Sequence, residues 1–499
     1  MKPLGTITKY YPFIDEESKS ILESLMDESN SYNDFVKQLC EIVITNDVPV
    51  NLAYVAAVQA WWCRAEEVMR LIQMKFKDVP CIRPWGHIHA SVERDQIEFH
   101  DGVTKAIEKA IDSNVEDWIE TELHLLHAFY HWPLGDIPSS LEPLEKAKGL
   151  MEANASLRCF EPLSCAFEGM ALSRDGDIGK SIEVLQKGER LVEHFDDALY
   201  RHMLLLNHAN VLNFMLMDVQ GAMALFEELY ELAQELDVTY YICEVLNDSS
   251  LAFEAAGEYD LAISSIQEII SSEQESGLAE TNFIILSRNY AALGNGSKAL
   301  EWINRGFEYL GQFVSPLMLL QKAWALALVN RLDEAEQALE DAYSLIMKAG
   351  LERHLGDYYQ VSGVVEYRKG DPLSALDLLE KAWEIAERIP RAANQNRALL
   401  DLARVEIQIN NHKADSTEIA VPGKWLSKLE NLAFDRNLPG IRMQAALLKS
   451  EFYQKHDQLK DARSTLVEAL SITDSLSVRT LRKEINDGIQ ELDHLLIDG

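Results

Sequence analysis

A signature that returns about every forty residues constrains this chain more than any other feature. It consists of an apolar helical pattern, a short turn often written Gly-Asp or Gly-Glu, and a second helical pattern that opens with a small residue. The turns are Gly135-Asp136-Ile137, Gly176-Asp177-Ile178, Met217-Asp218-Val219, Gly257-Glu258-Tyr259, Gly294-Asn295-Gly296, Asn330-Arg331-Leu332 and Gly370-Asp371-Pro372. Their spacings are 41, 41, 40, 37, 36 and 40 residues. Four positions past the acidic slot stand Ser140, Ser181, Ala222, Ala262, Ala299, Ala335 and Ala375. Four further on stand Leu144, Leu185, Phe226, Ile266, Ile303, Leu339 and Leu379. Another unit, Asp457-Gln458-Leu459 with Ala462, Leu466 and Ala469, follows two periods on; the polar segment 412–421 stretches the unit between.

The spacing has a physical reading. A glycine after the first helix adopts the left-handed conformation that stops it. A small residue on the second helix lets the two helix axes approach, and the apolar residue one turn later lines the packed face. Each helix pair leaves one apolar side uncovered, so neighbours stack. The expectation is an all-α chain built as a right-handed superhelix of helix-turn-helix repeats, an α-solenoid.

The pattern resembles the tetratricopeptide repeat, whose first helix carries a small residue before an apolar or aromatic one. Gly169 and Gly363 fill that slot here, as do Ala128, Ser250, Ser287, Ala323 and Ser450. The usual period of that family is shorter, and the longer units here are similar to those of the maltose-regulator type of transcription activator and of peptide-sensing bacterial receptors. The resemblance covers roughly residues 116–475 and implies about eight or nine repeats. Residues 476–499 form a C-terminal capping helix, with Leu481, Ile485, Ile489, Leu492 and Leu496 on one face. Residues 1–115 fit the repeat poorly and read as a helical N-terminal region. Helical patterns cover 17–27, 31–44 and 51–77, the last holding Trp61-Trp62. An irregular insertion that reads as hairpin-like spans 81–101, and a further helix follows at 102–112.

Charge narrows the partners. Asp and Glu number 81 against 46 Lys and Arg, a formal charge of −35. Neutralising phosphate needs clustered cations, which argues against nucleic acid and anionic membrane surfaces. No Lys or Arg falls between Arg201 and Arg288, a window holding fifteen Asp and Glu. It reads either as a solvated face or as a field that steers a partner of net basic character. No apolar run is long enough to span a membrane, and the first residues lack the apolar core of a secretion signal. Six irregularly spaced cysteines suggest reduced thiols, so a cytoplasmic setting is expected.

Chemistry finds little foothold. Cys81, His87, His89, His100, His124, His127 and His131 cluster in the first quarter, and zinc accepts such donors. No His-Glu-x-x-His or Cys-x-x-Cys pattern accompanies them, and in repeat register the last three face the second helix of their own pair. They read as half-buried core histidines. Gly294-Asn295-Gly296-Ser297-Lys298 lacks the spacing and strand context of a phosphate loop. Cys159 and Cys165 have no identifiable base. No cofactor, metal site or catalytic residue is assigned, and the chain is read as non-enzymatic.

The resemblance implies a ligand groove lined by first-helix residues. Its register places Asn207, Val211, Phe214, Asn247, Leu251, Glu254, Trp324, Gln360 and Tyr367 on that face. An asparagine amide offers a donor and an acceptor to an extended peptide. The cation clamp that holds C-terminal carboxylates in chaperone co-factors has no counterpart in the cation-free window. The leading expectation is a protein- or peptide-binding scaffold or adaptor. The alternatives are a ligand-responsive sensor and, further off, a metal-dependent enzyme on the histidine cluster.

Overall fold

The computed structural model describes residues 4–85, 97–134, 137–271, 280–311, 315–349, 351, 354–388, 392–411, 423–472 and 478–498; they are helical nearly throughout and contain no strand. Two compact units divide the chain. The first comprises Met1–Val211 and Ala224–Val245, the second Leu212–Met223 and Leu246–Gly499.

Among the described residues, the helices that precede the repeats include α1 Leu4–Thr8, α2 Glu16–Glu28, α3 Tyr32–Thr45, α4 Val50–Trp62, α5 Glu66–Lys75 and α6 Ile97–Ile111. The pattern 51–77 predicts one helix, and the structure breaks it. Arg64 takes a left-handed φ of 55°, and its guanidinium lies 5.1 Å from the Trp61 ring centroid and 4.6 Å from that of Tyr240. These ring contacts favour the turned backbone over a continued helix. Every residue of α4 from Leu52 to Trp62 is buried. The Trp61-Trp62 pair is therefore core, with ring centroids 4.6 Å apart. The hairpin-like insertion falls largely outside the described residues.

The repeats follow as α7 Asp117–Leu134, α8 Ile137–Ala153, α9 Glu161–Asp175, α10 Ile178–Phe195, α11 Ala198–Asn210, α12 Val219–Leu236, α13 Thr239–Ala256 and α14 Tyr259–Ser271. They continue as α15 Glu280–Ala292, α16 Gly296–Leu310, α17 Pro316–Leu328, α18 Leu332–Ala349, α19 Leu355–Lys369, α20 Pro372–Arg388, α21 Ala392–Asn411, α22 Lys424–Asp435, α23 Pro439–Lys455 and α24 Leu459–Leu470. Helix α25, Arg479–Asp498, ends the series. Within each unit, consecutive helices pack on one another in chain order.

One turn design serves almost every repeat. The first turn residue has a left-handed backbone at Gly176, Met217, Gly257, Gly294, Asn330, Gly370 and Asp457, with φ between 57° and 93°. The next amide then donates back to the carbonyl five residues earlier, as in Glu258 to Phe253 at 2.8 Å and Arg331 to Leu326 at 2.9 Å; after Met217, where a π-helical turn precedes, Asp218 reaches six residues back to Leu212 at 2.9 Å. This bond closes the first helix. Where that next residue is Asp or Asn, its side chain caps the second helix. Asp177, Asp218, Asn295 and Asp371 each accept from the amide three residues on, at 3.0–3.2 Å. A Gly-Asp pair thus ends one helix with its backbone and starts the next with its side chain.

The small slots behave as their size requires. Ser181, Ala222, Ala262, Ala299, Ala335, Ala375 and Ala462 are fully buried. A Cβ on Gly169 would meet Leu185 Cγ at 2.5 Å, and one on Gly363 would meet Leu379 Cγ at 2.6 Å. Ser181 Oγ donates to the Gly169 carbonyl at 2.7 Å. Helix α25 buries Leu481, Ile485 and Leu492 against Met443, Ala462, Leu466 and Ala469.

Candidate functional site

The second unit closes on itself. Gly257, in the turn before α14, touches the first residues of α23: a Cβ built on it would lie 2.6 Å from the Ile441 amide nitrogen and 2.7 Å from the Gly440 carbonyl carbon. Tyr259 donates its hydroxyl to Gln444 Oε1 at 3.2 Å. Asp260 caps α25, accepting from the Thr480 amide at 2.8 Å and its hydroxyl at 2.6 Å. Asn396 on α21 donates to the Ala255 carbonyl at 2.6 Å. Beside it Arg397 donates to Glu254 at 2.9 Å and to Asp357 at 3.0 Å, while Arg288 also pairs with Glu254.

Beside this closure lies an open cavity of about 580 Å³. Five successive first helices of the repeats face it: α15 through Ala291, α17 through Trp324, α19 through Val364, Tyr367 and Arg368, α21 through Arg397, Asp401 and Arg404, and α23 through Gln444, Ser450, Glu451 and Gln454. Helix α25 completes the wall with Leu481, Glu484, Asp487, Gly488 and Glu491.

The wall is apolar where helices pack and charged where they face the cavity. Asp401 is buried, accepts from Gln360 Nε2 at 2.9 Å and pairs with Arg404 at 2.8 Å. Burial pushes its carboxyl above the ordinary range, while Arg404, the Gln360 bond, Arg397 and Arg368 pull it back. Glu484 is exposed, yet enough protein surrounds it to raise its pKa; Arg404 acts against that rise and Asp487 with it. Burial raises the Tyr259 phenol, which stays protonated and donates.

The nine groove residues read from the sequence divide between the units. Asn207 and Val211 lie in the first, both buried, with Asn207 Nδ2 at 3.5 Å from the Ala166 carbonyl. Phe214 is half-buried in a short π-helical turn, Val211–Leu216. Asn247 and Leu251 are half-buried on α13. Asn247 donates to Asp248 at 3.2 Å and accepts from Asn282 at 3.4 Å. Glu254 is buried, both its oxygens bound by arginines. Trp324 and Tyr367 come together on the cavity, and Gln360 supports it through Asp401.

Sequence reasoning missed Asp401, Arg404, Gln444 and the acids of α25. For α25 a signal was present: Glu484, Asp487 and Glu491 follow at i, i+3 and i+7, one face of the helix beside its apolar stripe. For the others no local pattern existed.

The histidine cluster yields no donor set among the described residues, where no group of three or more His, Cys, Asp or Glu is placed to hold a metal ion. His87 and His89 lie outside the described residues, as do the side chains of His100 and His131. His124 is buried and its pKa falls to about 4, through burial first and then Lys146. It is neutral, so its approach to Glu120 at 3.6 Å is not an ion pair. Burial lifts the thiols of Cys40 and Cys159 to about 12 and those of Cys81 and Cys165 to about 11, leaving them protonated and poorly nucleophilic.

Turn geometry, small-residue slots and pairwise packing in chain order settle the architecture. The helix pairs are tetratricopeptide-like. No protein-family model matches the chain, and no curated protein matches it. Among solved structures it is similar to a tetratricopeptide repeat protein from Parabacteroides merdae, at 13% identity and a TM-score of 0.39, over 56% of this chain and 99% of that one. It is also similar to a signal transduction ATPase with numerous domains carrying a tetratricopeptide repeat sensor, from Pyrococcus horikoshii. That match has 14% identity and a TM-score of 0.43, over 68% of this chain and 54% of that one. No helix among the described residues is long and apolar enough to cross a membrane.

Proposed function

We propose that this tetratricopeptide-like chain is a non-catalytic binding protein that holds a short peptide, or a short segment of a partner protein, in the cavity of its second unit. One observation carries the reading: five successive first helices converge on a single cavity of about 580 Å³. That volume falls within the usual range for ligand sites, lined by apolar side chains with a few convergent polar groups. Trp324 and Tyr367 supply aromatic surface, and Gln444, Ser450 and Gln454 supply donors and acceptors for a peptide main chain.

The test is affinity capture from native lysate, at low and moderate salt, with the wild-type chain and a Tyr367→Ala variant, identifying both proteins and peptides. Ligands retained by the wild type and lost by the variant support the cavity. Ligands retained equally by both move binding elsewhere, to the face carrying Asn207 or that carrying Asn247.

A second reading, a sensor that changes shape on binding, draws on the contacts that join the ends of the second unit around the cavity. Gly257 with Gly440 and Asp260 with Thr480 are the clasps. A ligand that favours the open or the closed form shifts that equilibrium by its differential affinity. Solution scattering separates the readings: an unchanged radius of gyration at saturating ligand rules out the sensor.

A further inference from the structure

The charges of the cavity are sorted by wall. Its arginines stand on α19 and α21: Arg368, Arg397 and Arg404. Four of its five carboxylates stand on α23 and α25: Glu451, Glu484, Asp487 and Glu491. The fifth, Asp401, is consumed by Gln360 and Arg404. Pairings within the protein leave an unequal remainder. Arg397 is held by Glu254 and Asp357, although its Nε finds no acceptor. Arg368 carries no hydrogen bond or ion pair among the described residues, and it is exposed. Opposite, Asp487 pairs with Lys483 at 3.0 Å and Glu451 with Lys455, both at exposed positions where such pairs are weak. Glu484 and Glu491 are exposed and make no ion pair among the described residues. Arg368 on one wall and Glu484 with Glu491 on the other thus line one cavity without a hydrogen bond or ion pair among the described residues, held only by the longer-range fields of Asp401 on Arg368 and of Arg404 on Glu484.

We infer that the cavity reads both ends of a short peptide with free termini, Arg368 taking the carboxylate and Glu484 with Glu491 taking the ammonium group. The inference rests on the proposed peptide-binding role and adds the chemistry of recognition. A guanidinium fork matches a carboxylate in two parallel hydrogen bonds, and Arg404 adds positive potential beside it. An ammonium group is compact, offers three donors and suits a pair of carboxylates one or two turns apart on a helix. A ligand bearing both charges neutralises both walls; a singly charged one leaves the other wall bare.

Equilibrium dialysis of the purified full chain tests this with a randomised tetrapeptide mixture in three forms: free termini, N-acetylated and C-amidated, with retained peptides quantified by mass spectrometry. The expected result is that blocking either end lowers retention by about tenfold or more. Arg368→Gln should abolish discrimination against the amidated mixture only. The double substitution Glu484→Gln and Glu491→Gln should abolish discrimination against the acetylated mixture only. All three positions are exposed, and unchanged melting of the variants confirms that they fold. Equal retention of free and blocked mixtures overturns the two-ended reading and leaves peptide binding standing. Variants that lose all three mixtures alike also overturn it. Retention of no mixture by the wild type overturns the peptide reading itself.

Discussion

Gly257 and Gly440, far apart in sequence, touch backbone to backbone, so neither position has room for a Cβ. The contact joins the turn before α14 to the start of α23, and the cavity of the second unit depends on it. Gly257 also needs its left-handed φ of 77°, which confounds a substitution there. Gly440 has no such requirement. Gly440→Ala is expected to destabilise the second unit by about 1–3 kcal/mol, the usual cost of overpacking, and to weaken ligand retention in parallel. Thermal denaturation and dialysis of the same preparation check both.

Glu254 has a different role from the ligand contact its register suggests. With Arg288 and Arg397 on its two oxygens, it anchors α13 to α15 and α21. Glu254→Gln leaves two buried guanidinium groups short of a counter-charge. Breaking one member of a buried ion network costs about 3–5 kcal/mol. A chemical denaturation curve is expected to show a lower midpoint with an unchanged slope, and peptide selectivity among surviving folded molecules is expected to persist.

Lys9 fastens the N-terminal segment of the first unit. Its Nζ lies 2.7 Å from Asp197 Oδ2, inside the protein, and 3.6 Å from the Tyr200 ring centroid. Thr6 Oγ1 donates to the other oxygen of Asp197 at 2.9 Å. Asp197 also caps α11 through the amides of Leu199 and Tyr200. Lys9→Met keeps the side-chain length and strands the Asp197 charge, with an expected loss of about 3–5 kcal/mol. Hydrogen exchange should show early opening at residues 4–13 and at the start of α11.

Glu122 makes the first unit pH-sensitive. Burial raises its carboxyl to about 7, against the opposing pull of Lys9 and of the hydrogen bond from Tyr10, which is 2.8 Å long. A carboxyl raised in the folded state binds its proton more tightly there than in the unfolded chain. The resulting stabilisation is full below about pH 4.3, the unfolded value, and is lost as pH rises through 7. Wild-type protein should therefore lose melting temperature between pH 5 and pH 8, on the order of a few degrees. Glu122→Gln should remove that part of the dependence, and an identical pH profile in the variant would refute the assignment.

The parts legible in sequence are those encoded within a few residues. Gly176-Asp177 announces both the stop and the cap, and Ala299 with Ile303 announces the packed face, because each acts on its own helix pair. Closure of the second unit was not legible. Tyr259 and Gln444, or Asp260 and Thr480, meet through the accumulated rotation of several repeats, and no short pattern records that sum. Glu254 was misplaced for the same reason. Its register put it on the groove, whereas Arg288, just past the cation-free window, and the distant Arg397 fold onto it. The break between α4 and α5 escaped notice because Arg64 is held by Tyr240, a residue from the repeats.

Asp260 caps a helix whose first turn is synthesised 220 residues later. At ordinary translation rates the interval is on the order of tens of seconds, longer than local helix pairs need to form. During that time α14 stands finished on one side and bare on the other, Tyr259 and the preceding Gly257 waiting for α23 and Asp260 for α25. The last clasp of the second unit is thus a late event in biogenesis, and the nascent chain passes through an open spiral with its interior surface exposed to whatever binds there first.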